Sequence, residues 1–161
     1  MNKPVWVLDT NVVLDLYHFD DTVARPLRTA FEAGALGCAA SPATLAEWRR
    51  VLGYPEFGLD AAAQESVYAR YAGRVHACAN GGAARLPRCR DPDDQMFLQL
   101  AARCASVLVS KDHALLTLAR RVTGFAILTP AEAVSRLQRE SPPCSGIIAA
   151  ATLNSCAAAP S

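Results

Sequence analysis

Several common signposts are missing from this chain of 161 residues. No apolar run approaches the roughly 20 residues that a membrane-spanning helix requires, so no membrane role is expected. There is no Cys-x-x-Cys among the six cysteines, and the three histidines are scattered, which argues against a structural zinc site. Buried reduced thiols are the expectation for those cysteines. Charge of one sign is also missing: the net charge is +1, so bulk electrostatics favours neither nucleic acid nor an acidic partner. Lysine is scarce, with two against fourteen arginines. Arginine is the better bidentate phosphate ligand, although an Arg-rich composition would produce the same ratio. The N-terminus, Met1-Asn2-Lys3-Pro4, leads into an apolar run with no signal-peptide pattern, which points to a cytoplasmic protein.

The chain is long enough for one domain with a sizeable core, and 52% of its residues are hydrophobic. Val5 to Leu8 reads as a buried strand. Helical patterns follow from Asn11 to Tyr17 and from about Thr22 to Ala33, the second closed by Gly34. Leu36 to Ala40 is a second candidate strand. Ser41-Pro42 then has the form of an N-cap with proline at the first helical position, ahead of a face marked by Leu45, Trp48 and Leu52. A helix is expected over Leu59 to Ala77, a loop over Asn80 to Arg90, and a helix from Asp91-Pro92 to about Ala105. Val107 to Val109 and Ala126 to Leu128 are short strands around a helix from His113 to Val122. Thr129-Pro130-Ala131-Glu132 is a capping box opening a last helix to Glu140. Strands alternating with helices imply a mostly parallel sheet covered on both faces. The expected domain is 1–140, followed by a tail, 141–161, whose patch from Ile147 to Leu153 either adds a helix or stays disordered.

In such sheets ligands bind beyond the carboxyl ends of the strands. Four acids lie close to strand ends: Asp9, Glu47, Asp94 and Asp112. Each has an ordinary explanation. Asp9 could cap the following helix, Glu47 could pair with Arg50, and Asp112 could cap the helix after it. Asp91, Asp93 and Asp94 stand at a helix N-terminus, where each carboxylate gains roughly 0.3–1 kcal/mol. Capping accounts for Asp91 but does not require three acids. Converging carboxylates repel one another, and an oxygen-only cluster suits Mg²⁺ or Mn²⁺.

Taken together, "VLDTNVVLDL", "SPATLAEWRRVL", "RDPDDQMFLQLA" and "VLVSKDHALL", in that order, resemble a PIN domain. The nearest likeness is to the branch described as toxin components of toxin–antitoxin systems. It covers Val5 to about Leu137. The resemblance implies a three-layer α/β/α fold with a central, mostly parallel sheet of about four to five strands. It also implies a Mg²⁺- or Mn²⁺-dependent endoribonuclease whose acidic quartet is Asp9, Glu47, Asp94 and Asp112. Thr10, Asn11, Asp91 and Ser110 are expected around those acids as orienting groups. Lys111, Arg88 and Arg90, with Arg85 in the same loop, are candidates for RNA phosphates. A homodimer and an antitoxin protein are the partners the resemblance implies.

Two rival readings remain at this level. A phosphohydrolase with an Asp-x-Asp-x-Thr opening would need an acid where Asn11 stands, and so would lack its general acid. A non-catalytic PIN-like module would bind RNA or protein without metal. His18, His76, His113, Trp6 and Trp48 read as surface or core residues rather than catalysts or base-stacking platforms.

Overall fold

The structure is a computed structural model that describes residues 2–82 and 85–140. The expectations for the tail, including the patch from Ile147 to Leu153, lie outside the described residues.

Five short strands form the sheet: β1 (Val5–Leu8), β2 (Gly37–Ala40), β3 (His76–Ala77), β4 (Val107–Val109) and β5 (Ala126–Leu128). Their spatial order is β3-β2-β1-β4-β5 and every pairing is parallel. Trp6 lies opposite Cys38 on one side and Val107 on the other, so β1 is central. The chain lays down β1, β2 and β3 in one direction, then crosses back to place β4 on the other side of β1. The winding therefore reverses between β1 and β4, and the carboxyl ends of those two strands flank the crevice where sheets of this kind bind ligands.

Alternation along the strands builds two cores. Trp6, Leu8, Val107 and Val109 face one side, while Val7 and Leu108 face the other. The first side is covered by α1 (Thr10–Tyr17), α2 (Arg25–Glu32), α3 (Pro42–Leu52), α4 (Ala61–Ala72) and α7 (Pro130–Glu140), with Val12, Leu27, Trp48, Tyr71 and Leu137 among the buried contacts. The second is covered by α5 (Gln95–Cys104) and α6 (His113–Leu116), through Leu98, Ala101 and Leu115. The result is the expected three-layer α/β/α arrangement. Among the described residues no helix is long and apolar enough to cross a membrane.

The helix starts follow their local chemistry. Ser41 Oγ accepts from the Thr44 amide while Thr44 Oγ1 accepts from the Ser41 amide, a reciprocal cap. Thr129 and Glu132 repeat the device at α7, the Glu132 carboxylate taking the Thr129 amide at 2.8 Å. Gly34 closes α2 with φ of +78°, a conformation that costs glycine little.

Three expectations need correction. The helix expected to reach Ala77 stops at Ala72, capped by Gly73, and His76–Ala77 forms the edge strand β3 instead. With two exposed residues, β3 carries no apolar run that would announce a strand. The helix expected over His113 to Val122 ends at Leu116, because Leu118, Ala119 and Arg121 bond three residues back and tighten the chain into turns. Cys78 and Cys104, expected as reduced thiols, are joined in a disulfide, since the end of β3 meets the end of α5; Cys38 and Cys89 are free and buried, as expected.

Candidate active site

Asp9 follows the last residue of β1 and occupies the N-cap position of α1. Its carbonyl oxygen accepts from the Val12 and Val13 amides at 2.9 and 3.1 Å, but its carboxylate makes no cap hydrogen bond. The first amides of α1, from Thr10 and Asn11, favour its charged form without a cap hydrogen bond of full geometry. The carboxylate turns instead toward β4: the Ser110 hydroxyl donates to Asp9 Oδ2 at 2.7 Å across a sequence separation of 101 residues. Ser110 is fully buried, and its Oγ also accepts from the Asp112 amide at 2.9 Å. Asp112 Oδ1 caps α6 through the Ala114 amide at 2.7 Å. One serine thus wires Asp9 to the turn that carries Asp112.

Burial raises the pKa of Asp9, the Ser110 hydroxyl and the backbone amides of Asn11 and Thr10 oppose the shift, and the Asp112 charge adds to it. Thr10 and Asn11 thus act on Asp9 through the backbone. Asn11 is exposed, and neither side chain is hydrogen-bonded to Asp9.

Asp94 ends a single 3₁₀ turn, Pro92–Asp94, immediately before α5. Asp91 is the cap of that turn, accepting from the Asp93 amide at 3.0 Å, so Asp91 has a local role and Asp94 does not. Asp94 Oδ2 is buried with no hydrogen-bond partner. Burial pushes its carboxyl up to about 7, assisted by the charges of Asp9, Asp112, Asp91 and Asp93 in decreasing order. A buried carboxylate oxygen without a hydrogen-bond partner, under the influence of other carboxylates, belongs to an all-oxygen donor set of the kind that fits magnesium or manganese. Among the described residues no three acidic, histidine or cysteine side chains are clustered tightly enough to enclose an ion directly. The acids form an open group, consistent with an ion that keeps several of its waters.

Glu47 is engaged by a cation on its own helix. Its Oε2 accepts from Arg50 Nε at 3.1 Å and Nη2 at 2.5 Å. It lines a groove of about 500 Å³ with Arg50, Pro92 and Asp93. The charges of Asp9 and Asp112 both act on Asp94, while Glu47 is held by its pairing with Arg50 on the wall of a groove shared with Asp93. Lys111 is likewise engaged, with Nζ 2.6 Å from Asp15 Oδ2. Arg90 lines an open groove of about 750 Å³ with Asp112 and His113, while Arg88 lines another of about 610 Å³ with Gln95 and Gln99. Pro92 borders all three spaces, so its turn is the ridge around which they are arranged. Arg85 is exposed on the same loop.

Asp15 is the residue sequence reasoning passed over. The available signal was an acid between Leu14 and Leu16 on an otherwise apolar helix, since a buried carboxylate needs a partner.

Residues 5–114 match a family model described as PIN domain. Among solved structures, the chain is similar to one described as the crystal structure of VapBC2 from Rickettsia felis bound to a DNA fragment from their promoter. The TM-score is 0.52 and the identity 14%, over 78% of this chain and 98% of that one. At that identity the likeness is one of fold. No curated protein matches the sequence.

Proposed function

The chain belongs to the PIN domain family, and from that premise we propose that it is a divalent-metal-dependent endoribonuclease, the toxin component of a toxin–antitoxin pair. The observation that carries the enzymatic reading is the buried, unpartnered Asp94 Oδ2 beside Asp9 and Asp112, at the point where the sheet reverses its winding. Asp9, Asp94 and Asp112 would hold the cation, with Glu47 joining them directly or through water. The chemistry that Mg²⁺ or Mn²⁺ would supply there is a lowered pKa for a hydrolytic water and an offset of charge on the phosphate and leaving oxygen. Ser110 keeps Asp9 oriented and ionised by donating to Oδ2. Arg90 and Arg88 are the residues we assign to the phosphates of the RNA strand, a reading supported by their grooves meeting at Pro92. Lys111 contributes less to that contact, because Asp15 already offsets its charge.

The toxin reading draws on the branch whose motifs the sequence shares and on the fold shared with a component of VapBC2. Phe19 and Val23, exposed at 58% and 53%, offer an apolar surface for an antitoxin-like protein or a second copy of the chain. Light scattering with and without a co-expressed partner tests both.

The decisive assay is cleavage of a mixed RNA over a magnesium titration with EDTA as control. Cleavage that requires the metal and falls more than about 100-fold in Asp9→Asn, with the fold intact, is the expected result. Metal-independent RNA binding without cleavage would leave only a binding module. Hydrolysis of a model phosphate ester, with RNA untouched, would favour a phosphohydrolase.

A further inference from the structure

Asp15 lies on α1 with its side chain more than nine-tenths buried, and its only ion-pair partner among the described residues is Lys111, at 2.6 Å. Lys111 stands between Ser110 and Asp112, the two residues that wire the end of β4 to Asp9. We propose that the Asp15–Lys111 pair sets the separation of Asp9 and Asp112, which makes Asp15 a positioning residue for cation binding. The inference rests on the proposed metal-dependent function.

The geometry supplies the reason. Backbone bonds fix the end of β4, the Asp9 amide donating to the Val109 carbonyl and the Ser110 amide to the Leu128 carbonyl, both at 3.0 Å, and the Ser110 hydroxyl ties the turn beyond it to Asp9. The Lys111–Asp15 pair anchors the same turn at a second point on the same rigid segment. Asp9 and Asp15 are six residues apart, or roughly 9 Å along a helix axis. Two side-chain anchors so spaced, added to the backbone bonds of β4, fix the Lys111 side of the turn to α1 and with it the distance from Asp9 to Asp112.

Stability alone does not account for the pair. The Lys111 side chain is 46% exposed, so solvent screens its attraction. A buried carboxylate needs its partner, yet an apolar pair of similar size typically keeps a fold as stable as the ion pair did. Fixing geometry is what an apolar replacement cannot do.

The test compares the wild-type chain with Asp15→Leu/Lys111→Met and with Asp15→Asn, which keeps the shape of Asp15 without its charge. Melting in EDTA reports stability, calorimetric manganese titration reports the site, and RNA cleavage reports kcat and KM. The double variant is expected to melt at or above the wild-type temperature. Its manganese affinity is expected to fall on the order of tenfold, and kcat with it, at constant KM. Should the double variant fail to fold, Asp15→Asn is expected to show the same loss of affinity. Variants with wild-type manganese affinity and kcat would overturn the inference while leaving the proposed function standing. So would a rise in KM alone, which would make Lys111 a phosphate contact. A wild-type chain that takes up no manganese would overturn both.

Discussion

Replacing Asp94 by Asn should stabilise the metal-free protein and disable the metal-bound one. The Asp94 carboxyl is raised from 3.8 to about 7 in the folded chain, chiefly by burial and then by the charges of Asp9 and Asp112. A raised carboxyl pKa means that the folded state holds its proton more tightly than the unfolded state. The ionised group therefore costs stability, and the cost grows from about pH 4 to about pH 7. Three pKa units at 1.36 kcal/mol each set a ceiling of about 4 kcal/mol. Solvent on the open side of the cluster screens part of this, leaving about 2 kcal/mol. Asn at this position carries no charge to bury. In EDTA at pH 8 the variant should melt about 4–8 °C above wild type. The gap should narrow as the pH falls below 7 and close near 4. Magnesium should reverse the ranking: at 100 times its dissociation constant an ion stabilises a protein by about 2.7 kcal/mol, and only the wild-type cluster binds it well. A variant that melts below wild type in EDTA at pH 8, or gains as much from magnesium, would refute the reasoning.

Three further outcomes are expected. Ser110→Ala removes the donor that holds down the Asp9 pKa, so the acidic limb of the cleavage-rate profile should move to higher pH. The loss of a hydrogen bond to a charged group should also lower stability by about 1.5–3 kcal/mol in a denaturant titration. Arg90→Ser and Arg88→Ser should each weaken RNA binding equally across sequences and reduce the slope of log affinity against log salt by about 0.7; an unchanged slope would mark them as solvated surface charge. Cys104→Ser opens the bridge to Cys78, which spans 26 residues. It should cost about 3.5 kcal/mol in oxidising buffer and nothing in dithiothreitol.

Much of the scaffold was legible because its determinants are local. The buried run Val5–Leu8, the reciprocal caps at Ser41–Thr44 and Thr129–Glu132, and the Asp91-Pro92 helix start all act within a few residues, and each lies where its pattern placed it. Asp9, Asp94 and Asp112 could be picked out as acids near strand ends for the same reason. The two-residue strand β3 could not, because its pairing with β2 comes from chain placement and its own residues are exposed.

The state of each acid was a tertiary matter. Asp9 stands where a capping residue would stand, and only the fold brings Ser110, 101 residues away, to donate to its Oδ2. Capping could be assigned to Asp91 from the sequence, but only the fold shows that Asp94 Oδ2 is buried without a hydrogen-bond partner. Glu47 is paired to Arg50, and Lys111 to an Asp15 that no motif flagged. Backbone conformation follows from bonds to near neighbours, so residue order alone determined the strands, the helix starts and the position of each carboxylate along them. A buried charge takes its partner from whatever the fold packs against it, so only the assembled sheet decided which carboxylates are hydrogen-bonded or paired and which, like Asp94 Oδ2, are not.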